Sequence, residues 1–218
     1  MNNLIKRIIT SILLAAVLLF CLFYSKNSWL LLLIFASIIS FFEFSKLIKK
    51  IFKNKNISTT LINLTTIIYL IFFTFTAYDI AEVNVNIFFI ILVCIFSDIG
   101  GYVVGKTVGG KKLTKISPNK TVSGSIGSLI FSFIPLIIFS ILFNEKINSL
   151  FVNLILLTIF ISLISQLGDL FISYFKRKAG VKDTGTILPG HGGILDRIDG
   201  MIFAIPVTFI FNEIFLKL

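Results

Sequence analysis

Apolar runs follow one another along the chain, and each is about as long as a helix that crosses a membrane. About 20 helical residues span a hydrocarbon core of about 30 Å. The runs are uniformly apolar rather than alternating, which argues against the strands of a membrane barrel. We therefore expect an all-α, polytopic membrane protein in a lipid bilayer. About seven transmembrane helices are predicted, near residues 6–23, 28–45, 58–77, 86–105, 125–143, 148–168 and 200–216.

Composition and charge support this prediction and orient the chain. Of the 218 residues, 56% are hydrophobic and only 14% are charged. A net charge of +10 would suggest nucleic acid in a soluble protein, but here 17 of the 20 cations fall on one side if the N-terminus is cytoplasmic. We expect a multi-pass protein of the cytoplasmic (cell) membrane, with its N-terminus inside and no nucleic-acid partner.

The inner loops differ in composition, which predicts that they have different roles. The first is basic and aromatic and needs no role beyond fixing topology and attracting anionic head groups. The other two, 106–124 and 171–199, contain glycine, proline and hydroxyl residues. We predict N-terminal transmembrane helices over 1–85, about three in number, and a catalytic membrane region over 86–218 with its site on the cytoplasmic side.

The earlier polar region combines a deep acid with a loop suited to phosphate. Asp98 lies about two helical turns before the predicted helix end, and an ionisable group at that depth must face a wet cavity or a partner. Gly101 and Gly105 are explained by close helix packing. The loop offers cations and hydroxyls around a proline turn, which suits phosphate oxygens, although the spacing is not that of a P-loop. Its candidate substrate-binding residues are Ser117, Lys120 and Thr121.

The later polar region carries three acids at one predicted interface. Asp169 ends one span, and Asp196 and Asp199 begin the last, where helix capping is an alternative explanation. Such acids suit Mg²⁺, which shares oxygen ligands with substrate phosphates. The cations nearby would hold the remaining phosphate charge; they are Lys176, Arg177, Lys182 and Arg197.

Between these acids lies the sequence PGHGG. Gly192 and Gly193 would let backbone N–H groups approach an anion closely. His191, the one histidine of the chain, could act as a general acid or phosphate donor, or could make a structural hydrogen bond. A general base is dispensable if the nucleophile is a phosphate monoester, which is largely ionised near pH 7.

These residues carry a resemblance to a known family. The stretch from Ser173 to Asp199, with its fixed spacing of KR, KDTG, LPGHGG and DRID, resembles the signature of the phosphatidate cytidylyltransferases, also called CDP-diacylglycerol synthases. The stretch from Ser97 to Gly124 is similar to a second conserved region of that family. Together the two stretches cover most of residues 95–200.

The resemblance implies an enzyme that joins CTP to phosphatidic acid and releases pyrophosphate, with Mg²⁺ and a supporting K⁺. It implies that Asp169 and Asp196 are metal carboxylates, that Ser173 is a neighbouring polar contact, and that Lys176 and Asp199 form a charge pair. Because family members are often dimers, a homodimer is among the expected assemblies. The chain departs from the pattern at Ser123, where the family commonly has Glu, and it has fewer N-terminal spans than the family leads us to expect.

Other functions explain less of the sequence. A CTP-dependent polyprenol or dolichol kinase has a similar C-terminal region and would differ in its acceptor, a lipid alcohol. A transporter would also place acids in spans, but it would not need the long glycine-rich loop, and the two halves show no inverted repeat. A purely structural membrane protein would explain the spans but not the loop.

Overall fold

The structure is a computed structural model that describes residues 3–52, 56–114, 116–142, 151–190 and 192–211. The described residues form α-helices joined by turns, with two isolated bridges and no strand. The helices are α1 (Asn3–Tyr24), α2 (Lys26–Phe52), α3 (Asn56–Ile80), α4 (Asn84–Thr107), α5 (Val122–Leu142), α6 (Phe151–Lys178), α7 (Leu195–Ile198) and α8 (Met201–Phe211).

Six of these helices, α1 to α6, are long and apolar enough to cross a membrane. The predicted all-α fold is therefore confirmed, and the predicted number of spans is approximately right. The seventh predicted span, near 200–216, coincides with α8, whose described part is the 11-residue helix Met201–Phe211. α6 continues past the predicted end near residue 168 and reaches Lys178, so Asp169, Ser173 and Lys176 are helical.

Large apolar side chains are exposed along the long helices. Phe20 is 61% exposed on α1, Leu31 is 68% exposed on α2, and Ile68 is 67% exposed on α3. Apolar exposure repeated over several helices is unfavourable in water and favourable in lipid. The chain is therefore a multi-pass membrane protein.

The chain folds into two compact units. One contains residues 1–84 and 174–199, and we call it the loop unit; the other contains residues 85–173 and 200–218, and we call it the pocket unit. These are packing units, and the predicted functional division at residues 85 and 86 stays a prediction.

In the loop unit, α2 packs on α1 and α3. Ser25 and Ser28 start α2 by exchanging hydrogen bonds, since each hydroxyl accepts the backbone N–H of the other residue at 3.1 Å. Trp29, in the first turn, is buried and donates its indole N–H to the carbonyl of Ala77 on α3 at 3.0 Å. The buried indole ring, whose N–H group has a hydrogen-bond partner, thus holds α2 and α3 together.

In the pocket unit, α4 and α5 approach each other through glycines. A Cβ atom added to Gly124 would lie 2.8 Å from the carbonyl oxygen of Gly101, and one added to Gly101 would lie 2.5 Å from the hydroxyl of Ser128. The close packing predicted for the α4 glycines is thus confirmed. Ser97 of α4 and Ser162 of α6 share a hydrogen bond of 2.9 Å, which links a third helix to the pair.

Candidate functional site

The pocket unit contains a cavity of about 360 Å³, and most of the residues that line it are polar. Its size is in the range of small-molecule sites. Residues of α4, α5, α6 and the loop between α4 and α5 line it, and two of them, Asp98 and Asp169, are acids. The rest of the lining consists of Gly101, Tyr102, Leu113, Ser117, Asn119, Lys120, Thr121, Gly124, Ser125, Ser128 and Gln166.

The loop that closes one side of this cavity is a short hairpin. Gly109, at a φ of 64°, ends α4 in the left-handed conformation that glycine adopts without strain. Leu113 then donates its N–H to the carbonyl of Lys120 at 2.8 Å, and Val122 donates to Lys111 at 2.9 Å. These backbone bonds fix the turn that contains Ser117 and Lys120, so both predicted phosphate-binding residues lie at the cavity.

Thr121 has a structural role in addition to its place in the lining. Its hydroxyl accepts the N–H of Gly124 at 3.0 Å and thereby caps the first turn of α5. Ser123, which stands where the family commonly has Glu, donates its hydroxyl to the carbonyl of Gly109. Ser123 therefore fastens the two ends of the hairpin to each other.

Asp169 is the central charged group of the cavity. Its Oδ2 forms a salt bridge with Nζ of Lys120, and both side chains are a little over one quarter exposed, at 28% and 29%. Ser173, one turn further along α6, donates its hydroxyl to Oδ1 of Asp169 at 3.2 Å. Ser173 and Lys120 thus both contact Asp169, and Lys120 neutralises its charge; the site role implied for Ser173 stays a prediction.

The donor chemistry of the cavity fits a hard divalent cation. Asp98 and Asp169 supply carboxylate oxygens, and Gln166 supplies an amide whose Oε1 already accepts a hydrogen bond from Ser125 at 2.6 Å. Over the described part of the chain, no three His, Cys, Asp or Glu side chains are grouped to hold a metal. Mg²⁺ is commonly held by one or two carboxylates together with substrate phosphates, so this arrangement suits it.

In the loop unit, residues 184–190 and 192–196 are held by a network around Asp196; we call these residues the anchored segment. Lys176 donates to Oδ1 of Asp196 at 2.8 Å, in a salt bridge whose side chains are only 13% and 5% exposed. Oδ2 of Asp196 lies 2.8 Å and 3.0 Å from the N–H groups of Thr184 and Gly193, and 3.0 Å from the hydroxyl of Thr184. Asp196 thus ties both ends of the segment to the end of α6.

Burial on its own raises the pKa of the Asp196 carboxyl. The hydrogen bond from Lys176 and those from the backbone N–H groups of Gly193 and Thr184 outweigh burial, so the pKa lies below its usual value. The salt bridge seen for Lys176 is with Asp196. The predicted charge pair between Lys176 and Asp199 stays a prediction.

Glu43 is a site residue that sequence reasoning missed. It lies within the apolar helix α2, is only 2% exposed, and accepts hydrogen bonds from the N–H groups of Ile194 at 3.2 Å and Leu195 at 2.9 Å. The hydroxyl of Thr184 lies 2.8 Å from its Oε2. The available signal was an acid inside an apolar run, which marks a functional or paired position in a membrane helix.

The remaining predicted residues belong to the stretch 177–199 of the sequence. Arg177, Lys182 and Arg197 are exposed. Gly192 has a φ of 82°, and Gly193 is buried against the carboxylate of Glu43. Gly193 therefore contacts a carboxylate of the protein itself, and its predicted role in binding substrate stays a prediction. Asp199 is the C-cap residue of α7, and His191 lies outside the described residues.

Comparisons with known proteins support the resemblance. Residues 49–215 match the model of the Cytidylyltransferase family. The chain is 43% identical over 130 residues to the phosphatidate cytidylyltransferase of Bacillus subtilis (strain 168), covering 59% of this chain and 48% of that protein.

Two further relatives bear the same name. The protein of Staphylococcus haemolyticus is 49% identical over 122 residues, covering 56% of this chain and 46% of the relative. That of Rickettsia bellii is 42% identical over 124 residues, covering 55% of this chain and 54% of the relative. The chain therefore spans about half the length of the curated relatives it matches.

Proposed function

This chain belongs to the Cytidylyltransferase family, and from that membership we propose that it transfers the cytidylyl group of CTP to phosphatidic acid. The products are CDP-diacylglycerol and pyrophosphate, which places the reaction in phospholipid synthesis. The observation that carries the proposal is the cavity lined by Lys120, Ser117 and Asn119 together with the carboxylates Asp98 and Asp169. The first three residues offer cationic and hydrogen-bonding groups for phosphate, and the two acids suit a metal.

The chemistry needs positioning more than proton transfer. An oxygen of the lipid phosphate attacks the α-phosphorus of CTP, the bond from that phosphorus to the α,β-bridging oxygen breaks, and pyrophosphate leaves. The attacking oxygen is already largely ionised near pH 7, because the second pKa of a phosphate monoester is about 6. The barrier therefore lies in bringing two anions together, which cations in a sheltered cavity lower.

Asp169 and Lys120 have complementary parts in this proposal. Asp169 and Asp98 would hold Mg²⁺, which would supply charge neutralisation at the triphosphate and at the leaving group. Lys120 would exchange its salt bridge with Asp169 for a phosphate oxygen, and the hydroxyl of Ser117, in the same lining, would donate to another. The metal role implied for Asp196 and the supporting role of K⁺ remain predictions.

The proposed location follows from the charge pattern and the substrate. CTP is a cytoplasmic nucleotide, and the cation-rich loops 106–124 and 171–199 are the ones assigned to the cytoplasmic side. We therefore place the enzyme in the cell membrane with its cavity open to the cytoplasm. A homodimer remains part of the proposal for its assembly.

Position-labelled CTP tests the activity. Purified protein in lipid nanodiscs receives Mg²⁺ and CTP labelled on either the α- or the γ-phosphate, with phosphatidic acid or a polyprenol as acceptor. The proposal expects α-label in the lipid fraction with phosphatidic acid alone. Transfer of γ-label to the polyprenol would identify a lipid kinase, and absence of both labels from lipid would contradict the proposed function.

A further inference from the structure

We propose that Glu43 is a positioning residue for the anchored segment, and that α2 thereby fixes the orientation of Asp196 and Lys176 through Thr184. The reaction affected is the one proposed above, so this inference rests on that function for its catalytic part. The physical anchor itself does not depend on which reaction the protein performs.

Among the described residues, the hydrogen-bond partners of Glu43 belong to the anchored segment. Its carboxylate accepts the N–H groups of two consecutive residues, Ile194 and Leu195, and lies within reach of the Thr184 hydroxyl. Those donors lie at the two ends of the segment. A single carboxylate therefore closes the segment into a loop and holds it against α2.

The Thr184 hydroxyl connects this anchor to Asp196. It lies 2.8 Å from Oε2 of Glu43 and 3.0 Å from Oδ2 of Asp196. A hydroxyl has one hydrogen and can donate to one of these oxygens at a time. Movement of Glu43 would therefore change the hydrogen bonding of Asp196, which in turn holds Lys176.

Two glycines make room for the carboxylate. A Cβ atom on Gly185 would overlap Oε1 of Glu43, and a Cβ atom on Gly193 would overlap Oε2. The segment can close on Glu43 only because both positions lack a side chain. This gives Gly185 and Gly193, the last residue of PGHGG, a task different from binding an anion of the substrate.

Stability alone does not account for an acid at this position. A buried carboxylate is costly, and well-packed apolar residues often replace buried ionic groups with no loss of stability. A carboxylate does supply several acceptors in a fixed geometry. Glu43 also precedes residues 49–215, the range that matches the family, so its role comes from the structure and not from the resemblance.

Hydrogen exchange of the full chain in nanodiscs tests the anchor without substrate. Glu43→Gln keeps the volume but removes the charge and turns one acceptor into a donor. We expect amide exchange in peptides covering residues 184–195 to become at least about tenfold faster, while α3 peptides keep their rates. Glu82→Gln is the matched control, because Glu82 is exposed and pairs with Lys26 at 3.4 Å in the same unit.

A second pair of variants covers the case in which Glu43→Gln fails to fold. Thr184→Val removes only the hydroxyl that connects the two acids, and Thr184→Ser retains it. We expect Thr184→Val to accelerate exchange in the segment and Thr184→Ser to leave it unchanged. Unchanged exchange in both Glu43→Gln and Thr184→Val would overturn the anchor.

Steady-state kinetics distinguish a positioning role of Glu43 from a purely structural role. Misplaced Asp196 and Lys176 should lower kcat about tenfold or more and leave the KM for CTP within about twofold, with Thr184→Ser restoring kcat. Faster exchange of the anchored segment together with an unchanged kcat would overturn the positioning role. If exchange responds as expected but the native protein transfers no cytidylyl group, the anchor stands and the proposed function fails.

Discussion

The cavity of the pocket unit and the anchored segment of the loop unit use charged residues in opposite ways. At the cavity, Asp169 and Lys120 are each more than one quarter exposed and face open space. In the anchored segment, Asp196 and Lys176 are largely buried, and protein donors surround the carboxylate. The cavity thus keeps polar groups accessible to a ligand, whereas the segment uses them to hold its own shape.

The largest effect is expected from breaking the buried pair. Asp196→Asn removes the counterion of Lys176 and one predicted metal ligand. We expect activity to be abolished, membrane insertion to persist, and stability of the segment to fall by about 3 kcal/mol, the cost of leaving a buried charge unpaired. Label transfer, membrane fractionation and hydrogen exchange measure these three properties. An active Asp196→Asn protein would refute the metal role of Asp196.

Removing the acid of the cavity should separate activity from stability. In Asp169→Asn we expect kcat to fall about 100-fold or more, because charge stabilisation at the reacting phosphates is lost. The unfolding temperature should stay unchanged, since the partly exposed pair with Lys120 contributes little. Asp79→Asn, at an exposed position on α3, is the control. Equal loss of stability in Asp169→Asn and Asp196→Asn would remove the contrast between the two regions.

The cation of the cavity should affect substrate binding more moderately. Lys120→Gln removes a positive charge but keeps a hydrogen-bond donor of similar reach. We expect the KM for CTP to rise about tenfold, in line with the loss of one charged contact to phosphate. Steady-state kinetics at fixed Mg²⁺ checks this, with exposed Lys111→Gln as the control. An unchanged KM would show that Lys120 serves only as the counterion of Asp169.

The smallest effect on activity is expected from the contact between α4 and α5. A Cβ atom on Gly100 would overlap the carbonyl oxygen of Gly127, so Gly100→Ala must separate α4 from α5. We expect a loss of about 1–3 kcal/mol in stability and a mild loss of activity. Gly110→Ala, where φ is 106° but space is open, tests backbone strain alone. Thermal unfolding in nanodiscs distinguishes the two; a neutral Gly100→Ala would contradict the close packing.

The fold could be predicted from the sequence because the length of each apolar run can be compared directly with the thickness of a membrane. The runs predicted near 6–23, 86–105 and 125–143 correspond closely to α1, α4 and α5. The end of α6 was placed too early, since Lys176 to Lys178 were assigned to a loop. In the structure these cations form the last turn of α6, where the helix dipole favours positive charge.

The cavity was partly predictable and the anchor was not. Asp98 and Lys120 were singled out because a deep acid and a cation among hydroxyls are unusual in an apolar chain, and both line the cavity. Glu43 was passed over because the lysines that follow it gave its region a sufficient role in topology. Its partners lie about 150 residues further along the chain, and no periodicity or local spacing indicates so distant a pairing.

The most direct test of the central claim follows the oxygen atoms of the lipid. Phosphatidic acid labelled with oxygen-18 in its phosphate group is incubated with the native protein, Mg²⁺ and unlabelled CTP. The oxygen-18 content of the products is then measured by mass spectrometry. Attack by the lipid phosphate on the α-phosphorus predicts that all the label stays in CDP-diacylglycerol and that pyrophosphate contains none. Label in pyrophosphate, or no CDP-diacylglycerol at all, would contradict the account.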